Sequence, residues 1–185
     1  MAGHDVRAYR DHLRHSAVLP LSWTRRDGVE NPLVLARRHR RNVAALALDA
    51  AGDERRGERP LDDSGVATDL QRIDTKLNAV MELFSILIER ELVLPASVPV
   101  RFNAHGIEWQ GADAPPPELP ILIRIHLDAC PGLPLELAAT VLSGLDIGWS
   151  MAVLDGLRAP LPDAIEKMVF REHRRQLADS IGGAG

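Results

Sequence analysis

The chain has little of several things, and each shortage excludes something. Cys130 is the only cysteine among 185 residues, so no disulfide framework can form within one chain, and a reducing compartment fits. No amino-terminal run is apolar enough for a signal peptide, and no stretch reaches the length of a membrane span. The expectation is therefore a cytoplasmic protein without membrane contact. Positive charge is not in excess. The formal net charge is −4 and the pI is near 6.0, which argues against a general nucleic-acid binder. Lysine is scarce: 20 of the 22 basic residues are arginine, so a single Arg–Arg spacing carries little weight. There is no Gly-rich phosphate loop and no Gly-x-Ser-x-Gly elbow. Glu89, Glu91, Asp128 and Asp155 offer no pairing that a sequence could assign to acid–base chemistry. His12 and His15 could share a helical face, but no third ligand completes a metal site. Cys130 lacks a base partner and reads as a structural thiol. These absences point away from an enzyme, a metal or a cofactor.

What is present is enough for one domain over residues 1–185, since 45% of the chain is hydrophobic and can bury a core. Residues 1–15 are polar. Ala17–Thr24 reads as a strand, with Pro20 placing it at an edge or bulge. Asn31-Pro32 suits a helix start, and helix formers run on to Ala51. Within this stretch, Arg37-Arg-His-Arg-Arg41 reads as a solvated helical face, or else as a patch for an acidic partner or nucleic acid. Gly52–Gly65 is a connection. After it, Val98–Asn103 and Ile107–Gln110 flank an Ala-His-Gly turn. Leu119–Leu127, Leu135–Leu142 and Trp149–Leu154 read as further strands, and Pro162-Asp163 opens a closing helix. Short strands between turns indicate a small barrel or sandwich.

The strongest single signal is a helix from Thr68 to Glu91, opened by the capping box Thr68-Asp-Leu-Gln71. Leu70, Ile73, Leu77, Val80, Phe84 and Leu87 step by three and four, as in a coiled-coil seam. Met81 and Ile88 widen it, so the apolar face asks for more than one neighbouring helix. The alternative is an ordinary core helix covered within one chain.

The string Arg72-Ile-Asp-Thr-Lys-Leu-Asn-Ala-Val, then Leu94-Pro95, then Val100-Arg-Phe-Asn-Ala-His-Gly-Ile-Glu-Trp109, resembles the atypical, tetramer-forming PilZ domains of the xanthomonad type. Leu19-Pro-Leu-Ser-Trp23 and Met168-Val-Phe-Arg-Glu-His-Arg-Arg-Gln-Leu177 fit the same pattern. The resemblance implies an α+β fold: a six-stranded PilZ-like barrel (16–26 and 97–156), long helices inserted after the first strand (31–92), and a C-terminal helix (161–180). It further implies that the inserted helices associate as an intersubunit coiled coil, giving a homotetramer.

An ordinary PilZ domain is a cyclic di-GMP receptor with two ligand motifs. The first, Arg-x-x-x-Arg, is matched by Arg10 and Arg14 ahead of the first strand, where guanidinium forks would grip phosphates and guanine edges. The rival account is chance spacing in an arginine-rich chain. The second motif, Asp/Asn-x-Ser-x-x-Gly, falls on Arg101, Asn103 and Gly106. Only the glycine matches, and Gly106 also has the plain reading of a turn glycine. Arg101 and Asn103 present a wrong donor–acceptor set to a base, so cyclic di-GMP recognition is expected to be poor. Two function classes follow. One is a non-enzymatic oligomeric scaffold or adaptor in bacterial signalling or surface motility, with a signalling or pilus-related protein as partner. The other is a cyclic di-GMP receptor using altered contacts.

Overall fold

The computed structural model describes residues 2–28, 30–57, 73, 75–77, 79–80, 92–111, 114–142 and 148–182. The elements run α1 (Ala2–Asp11), β1 (His15–Arg25), α2 (Pro32–Gly57), β2 (Ser97–Phe102), β3 (Gly106–Gln110), β4 (Pro120–Ile125), β5 (Leu135–Val141), β6 (Trp149–Leu154) and α3 (Leu161–Gly182). Between α2 and β2, Ile73, Thr75, Lys76, Leu77, Ala79 and Val80 are helical. The remainder of the expected 68–91 helix, with Leu70, Met81, Phe84, Leu87 and Ile88, lies outside the described residues.

The six strands close into an antiparallel barrel in the order β1-β2-β3-β6-β5-β4. Period-two alternation builds its interior: Leu135, Leu137, Ala139 and Val141 of β5 are buried while the residues between them are partly exposed, as a pleated strand with one apolar face requires. Leu19, Leu21, Val100, Phe102, Ile107, Trp109, Ile121 and Ile123 fill the same interior. Pro20 does not mark an edge, since a closed barrel has none. It sits where β1 changes partner: Pro20 is the last residue paired to β2, opposite Ser97, and Leu21 the first paired to β4, opposite Ile125. The Pro20 carbonyl accepts from the His126 N–H at 3.0 Å just beyond β4, and the missing proline N–H leaves that pair with one bond in place of two.

Asn31 starts α2 as expected. Its side-chain oxygen accepts from the Leu33 N–H at 2.8 Å, satisfying a first-turn donor that has no helical partner. The helix turns Asn42, Ala45 and Leu46 inward. Asn42 closes a gap in the barrel. β6 pairs only with Ala139–Val141 of β5, which leaves Glu136 without a strand on that side. The Asn42 amide donates to the Glu136 carbonyl and accepts from its N–H, both at 2.8 Å. Leu161, Ile165, Met168 and Val169 form the buried stripe of α3, and Arg171 pairs with Asp49 to tie α3 to α2.

The Arg37–Arg41 run corrects the expectation of a solvated face at one position. Arg37 and Arg40 are exposed, but Arg38 is buried and forks onto both carboxylate oxygens of Glu30. An alternating chain of charges runs through it: Asp155, Arg26, Glu30, Arg38, Glu136 and Arg124. Burial of this many ions is tolerable because each faces an opposite charge. Residues 2–11 also depart from the reading as a merely polar segment, since they form a helix.

Candidate functional site

The expected ligand positions Arg101, Asn103 and Gly106 lie at the β2–β3 turn, and the first helix is docked on them. Their common neighbour is Tyr9, fully buried on α1. The Tyr9 hydroxyl donates to the carbonyl of Arg101 at 3.1 Å. The Asn103 amide donates to the carbonyl of Tyr9 at 3.0 Å, satisfying a group near the helix C-terminus that has no helical donor. Burial raises the Tyr9 phenol above its ordinary range. The Glu108 carboxylate adds to the rise, and the Arg14 guanidinium opposes it.

Asn103 is structural at both ends of its amide. While its nitrogen holds α1, its oxygen accepts from the N–H groups of His105 at 2.8 Å and Gly106 at 3.2 Å. Its own N–H donates to the Gly106 carbonyl at 3.1 Å. This is an Asx-type closure of the turn, a use for which asparagine is suited and serine less so. The side chain is only 2% exposed.

Gly106 is not required for a left-handed turn conformation. It is the first residue of β3, and a Cβ there would come within 3.0 Å of the Tyr9 ring and 3.0 Å of the Ala152 carbonyl oxygen. The glycine is needed for close approach of α1 and β6. The sequence reading as a turn glycine is corrected in mechanism, though not in its structural character.

The arginines are arranged differently. Arg10 and Arg14 are exposed, and the Arg14 guanidinium lies 5.4 Å from the Tyr9 ring centroid. The Arg101 guanidinium lies 4.4 Å from the Trp149 ring centroid and 4.0 Å from Glu108. The two ring contacts are cation–π arrangements, with Arg14 on Tyr9 and Arg101 on Trp149. His12 and His15 do not share a helical face: His12 follows α1 and stacks on His105 at 4.5 Å, while His15 opens β1 and meets Phe102 edge-on at 5.4 Å. Among the described residues no group of three or more His, Cys, Asp or Glu side chains could hold a metal ion. Cys130 is buried with its thiol toward the Ala45 carbonyl, and burial pushes its pKa up to about 11, far from the reactive range.

Tyr9 itself escaped the sequence reading. The available signal was a lone aromatic one residue before Arg10 in a polar segment. The expected assembly positions Ile73, Leu77 and Val80 are helical and exposed. No described helix is long and apolar enough to cross a membrane.

A closed six-stranded barrel with helices inserted between its first two strands and a C-terminal helix across β1 defines a PilZ-like domain. The family model described as "atypical PilZ domain, cyclic di-GMP receptor" matches residues 43–181, and the chain belongs to that family. A solved structure of a pathogenic protein from Xanthomonas campestris, described as a tetrameric PilZ domain self-assembled through an unusual helical bundle, is similar over nearly the whole length. Identity is 25%, coverage is 96% of this chain and 97% of that one, and the TM-score is 0.72. A search of curated proteins returns no match.

Proposed function

We propose that the chain is a non-catalytic, self-associating scaffold or adaptor in a bacterial signalling or surface-motility system, in which the nucleotide surface of the fold is no longer a receptor site. The observation that carries this reading is Asn103. At the position where a base-reading side chain would stand, the amide oxygen is bonded to the turn and the amide nitrogen to α1. Releasing it for a ligand would leave buried backbone groups unpaired, at about 1–3 kcal/mol each.

Self-association is supported by two things. Ile73, Leu77 and Val80 present apolar side chains from a helix to solvent, at the three–four spacing of a coiled-coil seam. The similar Xanthomonas campestris protein is described as a tetramer built through a helical bundle. The partner of such a scaffold is a signalling or pilus-related protein, and the site of action is the cytoplasm.

The second reading, a cyclic di-GMP receptor with altered contacts, is favoured by the family's own description and by the exposure of Arg10 and Arg14. One experiment separates the two. Titration calorimetry with cyclic di-GMP is expected to show no saturable uptake, while light scattering on the same sample gives the mass of a tetramer. Stoichiometric uptake supports the receptor. A monomeric mass removes the scaffold.

A further inference from the structure

Among the described elements, α1 is the one packed against β3 and β6 on the outside of the barrel. It is attached differently from the other helices. α2 and α3 send buried stripes into the main apolar core. Tyr9 and Met151 are each fully buried yet belong to no part of that core. Met151 faces outward: its neighbour Ala152 is interior, it pairs with Glu108 across the β3–β6 ladder, and Val153 pairs with Gly106. The outer wall of β3 and β6 therefore has an apolar floor, and the side chain seated over Gly106 is Tyr9.

Three attachments of α1 are described at its C-terminal end. They are the Tyr9 hydroxyl to Arg101, the Asn103 amide to the Tyr9 carbonyl, and the His12 ring on His105. Its junction to β1 is the short non-helical stretch His12–Arg14. A helix laid on the outer wall of a closed barrel, and joined to it through a short non-helical stretch, opens at a lower free energy than the barrel itself.

We propose that α1 is a hinged cover over the outer face of β2, β3 and β6, latched by Tyr9 and pivoting at His12–Arg14. The surface bearing Arg101, Asn103 and Gly106 is thereby closed by the chain itself, and it is uncovered only when the latch releases. The inference rests on the reading of this surface as a lost receptor site and adds the device that keeps it shut. Gly106 is the socket of the latch, Asn103 its catch, and Met151 the floor beneath it.

The test places a thiol under the cover. In the full-length Met151→Cys chain, maleimide labelling of position 151 is expected to be slow, with Cys130 as the internal reference for the barrel core. Adding Tyr9→Ala is expected to speed labelling at 151 by about a hundredfold, since a fully buried aromatic and the bond of its hydroxyl are lost, and to leave Cys130 unlabelled. Tyr9→Phe, which keeps the ring and loses the hydroxyl with its bond to the Arg101 carbonyl, gives an intermediate rate. A change at 151 below about twofold, on the same scale of local opening, overturns the proposal. So does labelling of Cys130 in step with 151, because α1 would then be an integral part of the fold and not a cover. The two readings fail separately: nucleotide uptake and mass of the unmodified chain decide the first, and labelling at 151 decides this one.

Discussion

Arg38 grips both carboxylate oxygens of Glu30 with its two terminal nitrogens, and neither side chain is more than 15% exposed. That fork joins α2 to the segment leaving β1. It also makes two neighbouring arginines of one run unequal. Arg37→Gln is expected to change stability by less than about 0.5 kcal/mol, as at most exposed positions. Arg38→Gln strands a carboxylate and should cost about 3 kcal/mol, read from denaturant midpoints. The Arg38 hydrogen bond holds the Glu30 carboxyl below its ordinary value. Its contribution is present above the usual carboxylate range and is lost as the pH falls through the depressed value. Equal midpoints for the two variants would show that the pair is not holding the helix.

Tyr9 is the only tyrosine in the chain, so the tyrosinate absorbance band reports on it alone. A phenol with the ordinary value of 10.0 would be half ionised at that pH. The unmodified protein should show almost no tyrosinate there, because burial favours the neutral form. The raised pKa means the contribution of Tyr9 is intact below pH 10 and is lost as the pH climbs beyond it. Gly106→Ala pushes the ring out of its socket, so the titration should move back toward that of a free phenol. Stability should also fall by about 1–3 kcal/mol, as for overpacking. Half ionisation near pH 10 in the unmodified chain would mean that Tyr9 is solvated.

Asn42 stands in for a missing strand beside Glu136. Asn42→Leu keeps the bulk but leaves one buried N–H and one buried carbonyl without partners. The expected cost is about 3 kcal/mol, with an unchanged dependence on denaturant if the fold survives. A shift below about 0.5 kcal/mol, within the surface range, would mean that water replaces the amide.

Leu77 and Val80 are exposed in the single chain, so charge placed there has no core of its own to disrupt. If they line an intersubunit seam, Leu77→Asp with Val80→Asp buries charges at several kcal/mol each. The assembly should then fall to smaller species while the strand signature in circular dichroism remains. Mass unchanged by the double substitution would remove these residues from the interface.

The barrel was legible because its signals are local. Alternation in Leu135–Val141, the turn at Ala104–Gly106 and the Asn31-Pro32 helix start each needed a few adjacent residues, and all six strands stand where those patterns put them. Two kinds of fact were hidden. Arg38 looked like its neighbours because its partners, Glu30 and Glu136, become close only in three dimensions. The state of Asn103 depended on Tyr9, 94 positions earlier, and no local pattern links a polar amino-terminal segment to a turn in the barrel. Arg101, Asn103 and Gly106 share one turn at which α1 docks. What the sequence could not display was that α1 occupies their surface.

β1 and β2 are neighbours in the barrel, with His15 opposite Phe102 and Pro20 opposite Ser97, yet all the inserted helices lie between them along the chain. The ladder between them can form only after a long stretch of chain has been looped out, and such closures slow folding more than they weaken the folded state. The pairings among β3 to β6 span shorter stretches of chain. The order of events this topology favours is a late seam: the carboxy-terminal strands assemble first, and β1 is zipped in when the insertion has brought it home. On a ribosome β1 emerges first and must wait, its apolar face uncovered, for most of the chain to follow.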